Sequence, residues 1–269
     1  MSGTDDRIRM RAGFDRVADL YDRVRPGYPA AMFDDLATLA GIGAGTRVLE
    51  IGCGTGQASV RLAELGCDLL AVELGPRLAA RASARLADHP SARVEVADFD
   101  TWTPESGRFE VVFSATAFHW LDPATRMERT ADLLVPGGVL ATVATEHIEG
   151  GTVPFFAEVQ ACYRRYYSTT PPDSPPQPAD RIPPDADIAI GAYRRPVFRR
   201  YEWSAEYSTA EYLDVLRTYS PTLDLPRLAA DGLLRCIGQL IDGRYGGRVT
   251  KRYLTELRVA TRVGSDRRR

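Results

Sequence analysis

Lysine is almost missing from this chain. Lys251 is one of 34 basic residues, and the other 33 (34 − 1) are arginine. That bias reads as the codon preference of a GC-rich genome rather than as a binding device. Acidic and basic residues nearly cancel, at a net charge of −2. No bulk field therefore favours nucleic acid or an anionic membrane, and neither is expected as a partner. Histidine and cysteine are scarce too. His89, His119 and His147 lie far apart, and Cys53, Cys67, Cys162 and Cys236 show no C-x-x-C spacing. A metal cage is not expected from such a set, and reduced thiols in the cytoplasm are the simplest expectation. No run approaches the ~18–20 apolar residues needed to span a bilayer. Met1 to Phe14 is polar and lacks the apolar stretch of a secretory signal.

What is present is a globular composition, 44% hydrophobic and 26% charged over 269 residues, enough for one α/β domain of ordinary size. From Arg47 to about Val143 short apolar strands alternate with helical stretches, the pattern of βαβ units with right-handed crossovers. The most informative run is Val48-Leu49-Glu50-Ile51-Gly52-Cys53-Gly54-Thr55-Gly56-Gln57. A strand ends in an acid, and glycines follow at every second position before a helix begins. Glycine allows a sharp turn and a ligand lying against the backbone. Dinucleotide folds use the spacing G-x-G-x-x-G, with pyrophosphate on the helix N-terminus. Here the spacing is G-x-G-x-G, and Glu50 suits a ligand carrying an amine or a positive charge. S-adenosylmethionine (SAM) carries both. A second strand, Asp68 to Glu73, ends in an acid 23 residues past Glu50, where a ribose hydroxyl is commonly bound. A third, Val94 to Phe99, ends in Asp98-Phe99. A fourth, Val111 to Ala115, leads into His119-Trp120, and a fifth follows Pro136-Gly137-Gly138.

Beyond Val143 the composition changes. Phe155 to Tyr167 predicts an aromatic helix, and Thr170 to Pro178 is too proline-rich for regular structure. Val197 to Tyr207 predicts a strand, Ala210 to Tyr219 and Leu225 to Asp242 helices, and Tyr253 to Val263 a last strand after Gly246-Gly247. Arg267 to Arg269 reads as a terminal tail.

The glycine loop, the acids that end the second and third strands, and the Leu-x-Pro-Gly-Gly turn together resemble the class I SAM-dependent methyltransferases. The phrase Phe14 to Pro29, ending Arg25-Pro26-Gly27-Tyr28-Pro29, is similar to the opening of their small-molecule branch, which includes trans-aconitate methyltransferase-like enzymes. The resemblance covers roughly residues 14–143 by motif and the remainder by pattern. It implies a Rossmann-like α/β fold with a seven-stranded mixed sheet, six strands parallel and one antiparallel. Helices would cover both faces, with a lid inserted after the fifth strand. The single domain would divide into a cofactor cap (1–35), a SAM-binding core (36–147), a substrate lid (148–196) and C-terminal elements that complete the sheet (197–269).

The same resemblance implies SAM as cofactor, S-adenosylhomocysteine (SAH) as product, and no metal. Glu50, Gly52, Gly54, Thr55, Gly56 and Gln57 would form the cofactor loop. Glu73 would meet the ribose, Asp98 and Phe99 the adenine, and Leu74 and Ala115 would also contact the cofactor. Tyr21 and Arg25 would contact the methionine end, or form a structural wrap. His119, and more weakly Tyr28, are the candidate bases; His119 can equally be a packing histidine. Trp120, Phe155, Phe156 and Tyr163, with Tyr166 and Tyr167, would form either an aromatic substrate pocket or core. The implied activity is methyl transfer to an O, N or C nucleophile of a small metabolite, in specialised metabolism, by a monomer or homodimer. Three readings compete with it. Methylation of nucleic acid is opposed by Ser114-Ala115-Thr116-Ala117, which stands where amino-methylating enzymes of that kind carry Asn/Asp-Pro-Pro-Tyr/Phe, while methylation of protein stays open beside it. A nicotinamide oxidoreductase is opposed by the glycine spacing, and a non-catalytic SAM-binding protein is the third.

Overall fold

In the computed structural model the described residues are 13–105, 107–167, 176–184 and 191–263. The proline-rich stretch, the first twelve residues and the terminal arginines therefore lie wholly or largely outside them. Helices α1 (Ala18–Val24) and α2 (Ala30–Ala40) precede the sheet. Then come β1 (Arg47–Ile51), α3 (Gln57–Glu64), β2 (Asp68–Glu73), α4 (Pro76–Arg85), β3 (Ala92–Val96), β4 (Phe109–Ala115), α5 (Arg126–Leu133) and β5 (Leu134–Ile148). After it follow α6 (Val153–Glu158), α7 (Gln160–Tyr166), β6 (Val197–Ser208), α8 (Thr209–Leu216), α9 (Ser220–Asp224), α10 (Arg227–Arg244) and β7 (Arg248–Thr261). The seven strands form one sheet in the order β3-β2-β1-β4-β5-β7-β6. β1 to β5 are parallel, and β7 runs antiparallel between β5 and β6. This is the Rossmann-like arrangement expected.

Local chemistry explains several boundaries. Gly41 takes a left-handed conformation (φ 66°) that stops α2. Prolines occupy the first turns of α4, α6 and α9, where a missing N–H costs nothing. Ser208 and Glu211 form a reciprocal capping box that starts α8. Apolar side chains from the central strands point to both faces, as a covered parallel sheet requires. Val48, Val111, Phe113 and Ala141 pack with Met32, Phe33, Leu36 and Leu62 on one side. Leu49, Leu70, Val112 and Leu140 pack with Phe99, Phe109 and Trp102 on the other.

The sheet is uneven, and this matters for the site. β1 to β4 contain five to seven residues each, whereas β5, β6 and β7 contain 15, 12 and 14. β4 pairs with β5 only as far as Ala115↔Val143. Beyond that point Ala144 to Ile148 pair with β7 and no longer with β4, Ile148 also bridging to Gln177. The overhang rises past the carboxyl ends of the parallel strands, where open α/β sheets bind ligands.

Three expectations need correction. The aromatic helix is two short helices that meet at Val159. The last strand starts at Arg248, five residues early, because β6 offers it a pairing partner along its whole length. Reduced thiols are not found throughout either. Cys162 of α7 and Cys236 of α10 form a disulfide across 74 residues, while Cys53 and Cys67 are free and buried. The cysteine argument for a reducing compartment therefore lapses. Among the described residues no helix is long and apolar enough to cross a membrane.

Candidate active site

The loop after β1 is built by its glycines. Gly52 and Gly54 sit at φ 70° and 58°, in left-handed backbone that side chains rarely adopt. A Cβ on Gly52 would come within 2.6 Å of the Ala117 Cβ. The Gly54 N–H donates to Glu73 Oε2 at 2.9 Å, and the Gly75 N–H donates to Glu73 Oε1 at 2.8 Å. The Glu73 carboxylate, only 7% exposed, thus clamps two loops together.

These loops form one end of a cavity of about 420 Å³. Gly52, Gly54, Gln57, Glu73, Leu74, Phe99 and Ala115 line it, as do Tyr21, Arg25 and Tyr28 from the N-terminal segment and His119 and Trp120 from beyond β4. The buried Gln57 Nε2 has no hydrogen-bond partner, so this end presents a glycine cradle, an anchored carboxylate and an orphaned amide donor. Thr116 takes φ 51°, unusual for a residue other than glycine. Its Oγ1 lies 2.9 Å from the Tyr28 hydroxyl. Phe14 closes over Trp120, with ring centroids 5.6 Å apart.

Other expected residues stand elsewhere. Glu50 does not reach the cavity; its buried carboxylate accepts a hydrogen bond from Ser59 Oγ at 2.5 Å. Burial, and then the like charge of Glu73, push it up to about 7. Thr55 and Gly56, in the same loop, do not line the cavity. Asp98 also stays out of the lining and accepts from the Asp100 N–H. Phe155, Phe156 and Tyr163 are core rather than pocket. Phe155 is fully buried, edge-on to Phe156, Tyr212 and Tyr245, in a cluster that joins α6, α7, α8 and α10. No described residue of 148–196 is among the lining.

The candidate bases fare differently. Burial raises the Tyr28 phenol well above its ordinary value, so it stays protonated and acts as a hydrogen-bonding group, not a base. His119 is exposed. The protein packed around it, then Arg126 and Arg258, hold it below the ordinary imidazole value.

The far end of the cavity holds residues that the sequence reading did not select: Thr145, His147, Trp203, Tyr219, Lys251 and Tyr253. Register assembles them. His147, Tyr253 and Trp203 are paired neighbours across β5, β7 and β6. Tyr253 and Trp203 stack at 4.4 Å. Lys251, two residues before Tyr253, projects to the same face, and its Nζ donates to the Tyr219 hydroxyl at 3.1 Å. Burial, then Lys251, lower His147 to about 2, so it is neutral. The one signal in the sequence was the solitary lysine itself.

Among the described residues no group of three or more His, Cys, Asp or Glu could hold a metal. Residues 48–138 match a family described as a methyltransferase domain. An uncharacterised methyltransferase of Mycobacterium tuberculosis is 33% identical over 140 residues, 52% of this chain and 55% of the relative. Trans-aconitate 2-methyltransferase of Methylobacterium radiotolerans is 31% identical over 103 residues, 37% of this chain and 38% of that enzyme. The chain thus spans about half the length, or less, of these relatives. A structure from Anaeromyxobacter dehalogenans, assigned to the type II methyltransferases, superposes with a TM-score of 0.58 at 22% identity. That superposition covers 89% of this chain and 99% of the other.

Proposed function

We propose that this chain, whose residues 48–138 carry a methyltransferase domain, moves the methyl group of SAM to a small-molecule acceptor and leaves SAH. The observation that carries the reading is a single cavity with two chemically different ends. One end has the glycine loop, the Glu73 carboxylate and the orphaned Gln57 amide. The other is an aromatic and cationic chamber on the overhanging strands.

The first end fits SAM. Glu73 takes the ribose hydroxyls, Gly52 and Gly54 let the ligand lie against the backbone, and Leu74, Phe99 and Ala115 flank the adenine. Tyr21 and Gln57 face the amino-acid end. Arg25 lines this space but is held by Thr218, to whose Oγ1 and carbonyl it donates at 2.9 and 2.7 Å. It therefore pins the N-terminal segment over the site. SAM supplies a methyl group already activated on a sulfonium, so the protein's task is alignment and exclusion of water. Such orientation contributes up to ~7–11 kcal/mol in favourable cases. A cavity of about 420 Å³ suits a metabolite, and a net charge of −2 gives a nucleic acid nothing to be drawn by. A relative named for methylating a small acid supports the same acceptor size.

Calorimetric titration with SAM, SAH and NAD tests the cofactor half. Saturable binding of SAM and SAH without NAD is expected. Binding of NAD alone would return the chain to the dinucleotide proteins.

A further inference from the structure

The chamber is electropositive and lacks acids. Lys251 is 6% exposed, and among the described residues neither it nor Arg25 forms an ion pair with a carboxylate. Burying a cation without an opposite charge is costly. Both cations instead converge on one phenol. Lys251 Nζ reaches the Tyr219 oxygen at 3.1 Å, and the Arg25 guanidinium lies 4.6 Å from the Tyr219 ring centroid.

We propose that Tyr219 is the general base of the transfer, its oxygen held by Lys251 so that it can take the proton of an acceptor hydroxyl. This rests on the methyltransferase reading above. As the acceptor oxygen forms its bond to the methyl carbon, the carbon–sulfur bond breaks and its electron pair stays on sulfur. The hydroxyl proton passes to the Tyr219 oxygen and leaves later to solvent.

The charge of the surroundings selects this group. A histidine that accepts a proton becomes a cation, and cations already fill the chamber. His147 is held down by burial and then by Lys251, and His119, at the other end of the cavity, by the protein packed around it and then by Arg126 and Arg258. A tyrosinate that accepts a proton is a neutral phenol, and its anionic form is the one that Lys251 and Arg25 favour. Every element around Tyr219 contributes. Burial opposes its ionisation, but Lys251, then Arg25, then hydrogen bonds from Lys251 and Tyr253 bring it below the ordinary phenol value. The hydroxyls of Tyr253 and Tyr207 lie 2.9 Å apart. Tyr253 is itself pushed far up, by burial and then by Tyr219 and Tyr207, so it remains a donor and the anion resides on Tyr219. Glu211 acts on Tyr207, one phenol further away. An acceptor with a weakly acidic hydroxyl, phenolic or enolic, matches such a base.

The test follows tyrosinate absorbance against pH in the ligand-free full-length protein. Of the twelve tyrosines, one should ionise ahead of the rest. Tyr219→Phe should delete that early step, Lys251→Met should move it to higher pH, and Lys251→Arg should retain it. Wild-type and Tyr219→Phe curves that differ only by one late-ionising tyrosine would overturn the proposal. So would an early step that survives Tyr219→Phe. In turnover, Tyr219→Phe should lose the acid limb of the kcat profile while its SAM affinity stays within a few-fold of wild type. Failure of wild-type protein to bind SAM would instead refute the methyltransferase reading and leave the titration result standing.

Discussion

Replacing Glu73 separates the ribose contact proposed for it from a structural clamp. Its two oxygens accept the Gly54 and Gly75 N–H groups at 2.9 and 2.8 Å, and the proposal gives the same carboxylate the ribose. A hydrogen bond to a charged partner contributes about 1.5–3 kcal/mol. Loss of the ribose bond alone therefore weakens SAM roughly tenfold to a hundredfold. Glu73→Ala also strands two backbone donors, which costs about 1–3 kcal/mol each when buried. That loss lowers the melting temperature by roughly 2–4 °C per kcal/mol for a domain of this size. Glu73→Gln keeps the volume but offers one acceptor oxygen instead of two. It should fall between wild type and Glu73→Ala in both measurements. Calorimetry with SAM and a thermal melt of each variant give the two numbers separately. A Glu73→Ala protein that binds SAM within twofold of wild type would refute the ribose role. An unchanged melting temperature would refute the clamp.

Gly54→Val should abolish SAM binding while far-ultraviolet dichroism stays near wild type, since φ 58° and the ligand-facing position leave no place for a branched side chain; normal binding would mean that the loop has been misread. Glu50 keeps its proton up to about 7 in the folded chain against an ordinary 4.5. Its contribution is thus complete below the unfolded value and fades as pH rises through 7. Urea unfolding should show wild type losing about 1–3 kcal/mol relative to Glu50→Gln between pH 5 and 8, and a gap independent of pH would contradict this. His147 runs the other way. It is neutral in the fold down to about 2 and ordinarily titrates near 6.5, so its contribution is present above 6.5 and lost as pH falls below it. In His147→Phe the decline between pH 6.5 and 5 should be shallower by up to about 2 kcal/mol; an identical decline would show that His147 protonates freely.

The sheet core and the glycine loop that lines one end of the cavity were legible because their signals are local. Gly52-x-Gly54-x-Gly56 after a strand, and an acid ending each of the first two strands, occupy short windows whose spacing carries geometry. The acceptor end was not legible. His147, Trp203, Tyr219, Lys251 and Tyr253 lie up to 106 positions apart (253 − 147) and meet only through the register of the overhanging strands. A composition argument even set Lys251 aside. Phe155, Phe156 and Tyr163 had the opposite fault. Aromatic residues at helical spacing look the same whether they face a ligand or a neighbouring helix, and here α8 and α10 had already covered them. Glu50 was placed correctly at the end of its strand, but it points away from the cavity toward Ser59, a distinction that residue spacing does not carry. The Cys162–Cys236 bond likewise depends on α7 meeting α10.

The most direct test of the whole account is label transfer. Wild-type protein is incubated with SAM labelled in its methyl group and a fractionated small-metabolite pool, in parallel with nucleic acid and with protein. The account predicts label in a low-molecular-weight product, matched mole for mole by SAH. Label in macromolecules alone, or saturable SAM binding with no SAH formed against any pool, would contradict it.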